Sequence, residues 1–136
     1  MRKSLFIVSI ISLAVLGVVG CGGSNNGTAP LAAFQPEIIN VADAFQFQAT
    51  NVENVTTIVS YPWSNSLTQA TINHSSVLTG GTATVSIFDN DSTLVYTSGL
   101  VASLNEASSA GTAGTWYVTV QLVNVSGTLN FRVESL

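Results

Sequence analysis

The sequence predicts an all-β protein, an antiparallel β-sandwich of about seven to nine short strands, from its composition, its alternation and its turn spacing. After residue 20 the chain is rich in Val, Thr, Ser, Asn and Gly and poor in charge, which suits half-buried strands. Apolar and polar residues alternate with a period of two, and turn-forming residues recur roughly every 8–12 residues. A small closed barrel is the alternative arrangement of the same strands.

The first strands are expected between residues 31 and 61. Ile38, Ile39 and Val41 favour an opening strand, and Pro36 argues against a helix interior. Strict alternation predicts a strand over residues 45–50.

A second strand is predicted close behind the first. Residues 51–54 are typical of a turn, and the β-branched run 55–61 is expected to pair with the strand before that turn. Because Pro62 cannot donate to a ladder, this second strand ends there or lies at a sheet edge.

The middle of the chain predicts one clear hairpin. Residues 82–88 and 93–97 alternate around the short polar residues 89–92, which tolerate turn geometry. Residues 67–74 favour a strand that precedes a break at Gly80 and Gly81. Residues 100–104 favour a short strand, and residues 105–114 are predicted as a loop.

The last pair of strands carries the strongest alternation. Residues 116–122 and 129–133 are predicted on either side of a turn at 124–127. Trp116 is in register with Val118 and Val120, so we expect its side chain in the same core as Phe131. Asn130, Arg132 and Glu134 are expected to face water.

The N-terminus has the order of a secretory signal peptide. Arg2 and Lys3 precede an apolar run over residues 5–19, and small residues follow. The run is shorter than the roughly 20 apolar residues that cross a bilayer, and a Gly/Ser/Asn segment rather than a charged cluster follows it.

Val18-Val19-Gly20-Cys21 resembles the lipobox of bacterial lipoproteins, an aliphatic residue and a small residue before the chain's one cysteine. The resemblance implies cleavage between Gly20 and Cys21, a diacylglycerol thioether on Cys21 and acylation of the new amine with a fatty acid such as palmitate. Gly22 after the cysteine implies delivery to the outer membrane. An ordinary signal peptide that ends in a cysteine by chance is the alternative.

Three segments follow from this interpretation. Residues 1–20 are the signal peptide, residues 21–30 are the lipidated cysteine with a flexible tether, and residues 31–136 are the β-sandwich domain. Residues 83–92, 114–120 and 127–133 resemble the bacterial pre-peptidase C-terminal type of β-sandwich, whose members are non-catalytic appendages of secreted proteins.

The charge of the domain excludes some classes of function. After the signal peptide, one basic residue, Arg132, stands against seven acidic residues, which gives a side-chain charge of −6. Nucleic-acid binding needs several Lys or Arg contacts to phosphates, so we expect no nucleic-acid partner. Because Cys21 is assigned to lipid, we expect no disulfide within the domain.

Few residues are candidates for chemistry. Asp89, Asn90 and Asp91 offer the oxygen ligands that Ca²⁺ prefers, but turn chemistry accounts for the same residues, and we expect no metal. His74 is the chain's one histidine, and a general base needs a nucleophile and an orienting carboxylate beside it.

Aromatic residues offer a different kind of site. Tyr61, Trp63 and Tyr117 are candidate contact residues for a sugar or a protein if they lie on the surface.

Two functions remain from the sequence. The favoured one is a non-catalytic, lipid-anchored β-sandwich of the cell envelope, most simply at the outer membrane, that binds or assembles a protein or glycan partner without a cofactor. The alternative is a small envelope hydrolase that uses His74 or the Asp89/Asp91 pair. The uncharged run 55–61 is the candidate edge for protein contact, with strand 45–50 beside it.

Overall fold

A computed structural model describes residues 30–136, so the predicted signal peptide, Gly20 and Cys21 lie outside the described residues. A short 3₁₀-helix, Leu31–Phe34, comes first. Seven antiparallel strands follow: β1 (Glu37–Val41), β2 (Ala44–Asn65), β3 (Ala70–His74), β4 (Val77–Phe88), β5 (Leu94–Gly99), β6 (Leu104–Ala107) and β7 (Gly114–Ser135).

Strands β2 and β7 are each 22 residues long and pair with each other over most of their length. Their register shifts at three places between Ala49 and Thr57. The rings of Phe45 and Tyr61 lie 5.6 Å apart, whereas a straight strand would separate them by about 50 Å. The ribbon of β2 and β7 therefore folds back on itself, and its two halves pack face to face.

This folding produces two half-sheets. The first half-sheet has the order β1, residues 44–49 of β2, residues 129–135 of β7, β3 and β6. The second half-sheet has the order residues 57–65 of β2, residues 114–122 of β7, β4 and β5. The predicted all-β antiparallel sandwich is confirmed, although two of its strands are long and run through both half-sheets.

One apolar core lies between the half-sheets. Trp116, Phe131 and their in-register neighbours are at most 1% exposed and belong to a single buried cluster, as predicted. Trp63 joins it, and its ring meets Trp116 edge-on at 6.0 Å. Leu31 is also buried, and Phe34 packs against the same cluster.

The two turns predicted at residues 51–54 and 124–127 are bulges inside continuous strands. Asn51, Asn54 and Asn124 have φ angles of 52°, 52° and 49° and lie at the register shifts of β2 and β7. Short polar side chains tolerate this left-handed conformation in bulges as well as in hairpin turns. Residues 45–50 and 55–61 consequently belong to one strand and do not pair with each other.

The remaining elements differ from the prediction in detail. The hairpin around residues 89–92 is confirmed as β4 and β5. Gly80 and Gly81 lie within β4, at a register shift against β7, and do not interrupt the strand. β3 begins at Ala70, so residues 67–69 lie outside it, and β6 occupies part of the predicted loop 105–114.

Candidate functional site

The outer face of the first half-sheet carries a polar depression of about 300 Å³. It lies over β3, with β7 on one side and β6 on the other. Its lining consists entirely of polar side chains: Thr71, Asn73, Ser75, Asn105, Asn130, Arg132 and Glu134. We call this feature the amide depression, because three of its seven residues are asparagines.

Backbone register explains how these side chains come together. Asn73 of β3 is paired with Arg132 of β7 on one side and with Asn105 of β6 on the other. Thr71 is paired with Glu134 in the next row. Because alternate residues of a strand share a face, all of them point away from the core.

The outer face of the second half-sheet carries no charged residue in its central rows. One row of cross-strand partners runs across four strands and consists of Pro62, Tyr117, Phe88 and Leu94. Tyr117 is 44% and Leu94 49% exposed. We call this the apolar row.

A row of hydroxyl groups lies beside the apolar row. This row runs across the same four strands and consists of Ser60, Thr119, Ser86 and Thr97. The hydroxyls of Ser60 and Thr119 lie 2.9 Å apart, as do those of Ser86 and Thr97. These hydroxyls are therefore hydrogen-bonded to one another across the strands.

The second half of β2 forms an open edge. Residues 57–65 pair with β7, and within residues 30–136 no strand pairs with their other side. The Pro62 carbonyl accepts from Asn40 Nδ2 at 2.7 Å, and the Ser64 carbonyl accepts from the Asp43 N–H at 2.8 Å, so both carbonyls point outward.

The same reasoning extends two residues further along this edge. Along an antiparallel strand, the N–H and C=O groups of successive residues point alternately toward and away from the paired strand. The register is regular from residue 57 to residue 65. Ile58 and Ser60 therefore also direct their N–H and C=O groups away from β7. Ile58 is 65% exposed.

The three candidate aromatic contact residues lie in different environments. Tyr117 is on the surface, in the apolar row. Tyr61 is half-buried against the rings of Phe45 and Phe47. Trp63 is 1% exposed, and its Nε1 donates to the Val41 carbonyl at 3.2 Å. Trp63 therefore does not meet the condition for a contact residue, because its side chain points to the core side of β2.

The loop at Asp89, Asn90 and Asp91 uses its oxygens within the protein. The Asp89 carboxylate is 3% exposed and accepts from the N–H groups of Asp91, Thr93 and Thr112 at 2.8–3.0 Å. The N–H groups of Thr112 and Thr93 hold the pKa of this carboxyl below its ordinary value. The carboxylate therefore closes the β4–β5 turn and ties it to the segment before β7.

Other oxygens of this loop are engaged in the same way. Asn90 Oδ1 accepts from the Thr115 N–H at 3.1 Å, and Asp91 Oδ2 accepts from the Thr112 hydroxyl at 2.6 Å. Residues 30–136 contain no group of three or more His, Cys, Asp or Glu side chains that could hold a metal ion.

His74 faces the interior, on the opposite side of β3 from the amide depression. It is 2% exposed, and its Nε2 lies 3.2 Å from the Tyr96 hydroxyl, which also donates to Glu106 at 3.3 Å. Burial lowers the pKa of the His74 imidazole, and the Glu106 carboxylate opposes that shift. The structure therefore does not bring His74 into the depression with other polar groups.

No protein-family model and no curated protein matches this chain. Among solved structures, a chain of the "Glycosylation Associate Protein (Gap123) complex from Streptococcus agalactiae" is similar, with a TM-score of 0.37 and 11% identity. The similarity covers 82% of this chain and 43% of that one, so this chain spans less than half its length.

Within residues 30–136 no helix has the length and hydropathy to cross a bilayer.

Proposed function

We propose that the protein is a non-catalytic, lipid-anchored binding module of the cell envelope, which contacts a partner protein through the open edge of β2. The lipobox-like segment that ends in Cys21 supports the anchor. A short tether places the domain near the membrane, at the outer membrane if Gly22 acts as the resemblance implies. The open edge of residues 57–61 is the single observation that carries the protein contact.

This edge suits an extended segment of a partner. An added strand would hydrogen-bond to the outward groups of Ile58 and Ser60, the mode in which backbone bonds supply affinity. Ile58 adds an exposed apolar side chain, and the apolar row around Tyr117 continues the surface on the same half-sheet. Residues 57–61 carry no charge that would oppose pairing.

A hydrolase fits the same residues less well. The His74 ring is buried on the inner face of β3, away from any substrate in the depression. The Asp89 oxygens already accept three backbone hydrogen bonds, which leaves them poorly placed to act as a general base.

Proline at Ser60 tests the contact. The Ser60 N–H points away from β7, so Ser60→Pro removes an outward donor and leaves the ladder to β7 intact, as Pro62 does already. Ser60→Ala is the matched control, because it removes the hydroxyl bonded to Thr119 and keeps the N–H. A photo-crosslinking residue at Ile58, in the native envelope, reports the partner.

The expected result separates the two variants. The parent and Ser60→Ala should give the same discrete crosslinked protein adduct, and Ser60→Pro should lose it with an unchanged melting temperature. If Ser60→Pro gave the crosslinked adduct in the same yield as the parent, strand addition at this edge would be ruled out.

A further inference from the structure

We infer that the amide depression is a binding site for a neutral saccharide, one face of a hydroxyl-rich sugar within a glycan. The inference goes beyond the protein contact proposed above and concerns a different surface. Because the half-sheets pack face to face, their outer faces point in opposite directions, and the depression lies on the side away from the apolar row.

The depression has hydrogen-bonding groups that the fold does not use. Within residues 30–136, the side-chain polar atoms of its seven lining residues make no hydrogen bond to another protein group, although the neighbouring Ser76 and Ser135 hydroxyls do. On the opposite outer face, by contrast, the hydroxyls of Ser60 and Thr119 and those of Ser86 and Thr97 are hydrogen-bonded in pairs. The seven lining side chains are thus available to hydrogen-bond to a ligand.

The mixture of groups selects the class of ligand. Arg132 only donates, Glu134 only accepts, and the asparagine amides and the hydroxyls do both. A phosphate or carboxylate ligand would face Glu134, and an ammonium ligand would face Arg132. Sugar hydroxyls donate and accept, so they can satisfy every lining group at once.

Net charge favours a neutral glycan over an anionic one. Arg132 is the one basic residue of the described chain, against seven acidic residues. A side-chain charge of −6 repels anionic polymers at long range. The lining contains no apolar side chain, which disfavours a lipid or an aromatic ligand.

Paired strands set the spacing of six of these seven residues. Asn73 lies between Arg132 and Asn105 in one row of paired strands. Cross-strand neighbours are about 5 Å apart and alternate residues along a strand about 6.6 Å apart. This grid of donors and acceptors has the dimensions of a sugar ring, and strands fix it more firmly than loops would.

Titration of the full chain, purified in detergent and labelled with ¹⁵N, tests the inference. The neutral probes are cellohexaose, maltohexaose and the hexamer of N-acetylglucosamine; an oligogalacturonate and inorganic phosphate are the anionic probes. At least one neutral probe should shift the side-chain amide signals of Asn73, Asn105 and Asn130 when its concentration reaches about 10 mM. Binding in this weak range is expected of an open polar site.

Variants confirm the location. Asn73→Ala and Arg132→Gln should each weaken binding about tenfold, as loss of hydrogen bonds to a ligand does. Gln121→Ala is the control, because it removes an exposed amide from the outer face of the second half-sheet. Circular dichroism should show parent-like melting for all three.

Three outcomes would overturn the inference: no shift with any neutral probe, a stronger response to the anionic probes, or binding that survives Asn73→Ala. The test is independent of the proposed protein contact. Asn73→Ala should leave crosslinking at Ile58 unchanged, and Ser60→Pro should leave saccharide binding unchanged, so either proposal can fail alone.

Discussion

At the scale of single residues, Trp116 is central to the core. It is fully buried, its ring meets Trp63 edge-on, and its Nε1 donates to the Thr112 carbonyl at 2.7 Å. The next residue, Tyr117, is on the outer face and 44% exposed. The two neighbours therefore give a matched pair in which burial is the main difference.

Truncation of Trp116 should consequently be far more damaging than truncation of Tyr117. Trp116→Ala should lower the free energy of unfolding by about 3–5 kcal/mol, as large aromatic truncations in cores do. Tyr117→Ala should lower it by less than about 1 kcal/mol. Urea unfolding measures both, and equal losses would show that the core does not depend on this indole.

Alternation predicted the environments of Trp116 and Tyr117 but not that of Trp63. The strand 116–122 alternates strictly, so a period of two assigns each side chain to a face. Before Trp63 the β-branched run 55–61 has no such alternation, and its faces cannot be told apart from sequence. The core side of β2 is set by its pairing with β7, which brings Trp63 opposite Trp116.

At the scale of the strands, bulges allow β2, β4 and β7 to bend. Gly81 has a φ of 74°, and a methyl group there would collide with the backbone carbonyls of Val123 and Asn124. Its neighbour Gly80 differs: a methyl group would meet only the Ser126 side chain, at 3.9 Å. One glycine is therefore required by the bend and the other is not.

Alanine substitutions at this pair of glycines measure that difference. Gly81→Ala should cost about 2 kcal/mol or more, because it adds left-handed strain to a collision with backbone. Gly80→Ala should be nearly neutral. Thermal melting gives the comparison, and a Gly81→Ala protein as stable as Gly80→Ala would mean that β4 does not need this bulge.

The sequence could predict where the strands depart from regular pairing, but not whether each departure is a turn or a bulge. Asn51, Asn54 and Asn124 have the chemistry of turns, and a bulge uses the same left-handed backbone conformation. A turn reverses the chain and a bulge only bends it, and the choice depends on which strand pairs alongside. That pairing joins residues 44–65 to 114–134, which no local pattern reveals.

At the scale of the whole molecule, the candidate saccharide site arises from topology. Alternation correctly placed Asn130, Arg132 and Glu134 outside the core. It could not show that β3 pairs with β7, or that β6 pairs with β3, and these contacts bring Asn73 and Asn105 alongside Arg132. The open edge of β2 likewise follows from the strand order.

The proposed anchor would connect these surfaces to a membrane. Residues 22–30 are rich in Gly, Ser and Asn. A flexible chain of this length has a root-mean-square reach of roughly 15–18 Å.

Cys21→Ser tests the anchor independently of the fold. Serine cannot form the thioether that the lipobox resemblance implies, so this variant should lose palmitate labelling and leave the membrane fraction. Several acyl chains, at about 0.8 kcal/mol per buried methylene, hold a protein stably on a bilayer, and their loss should be close to complete. The domain should melt as in the parent, since Cys21 precedes every core residue within residues 30–136. Labelling and membrane retention equal to those of the parent would exclude lipidation at Cys21.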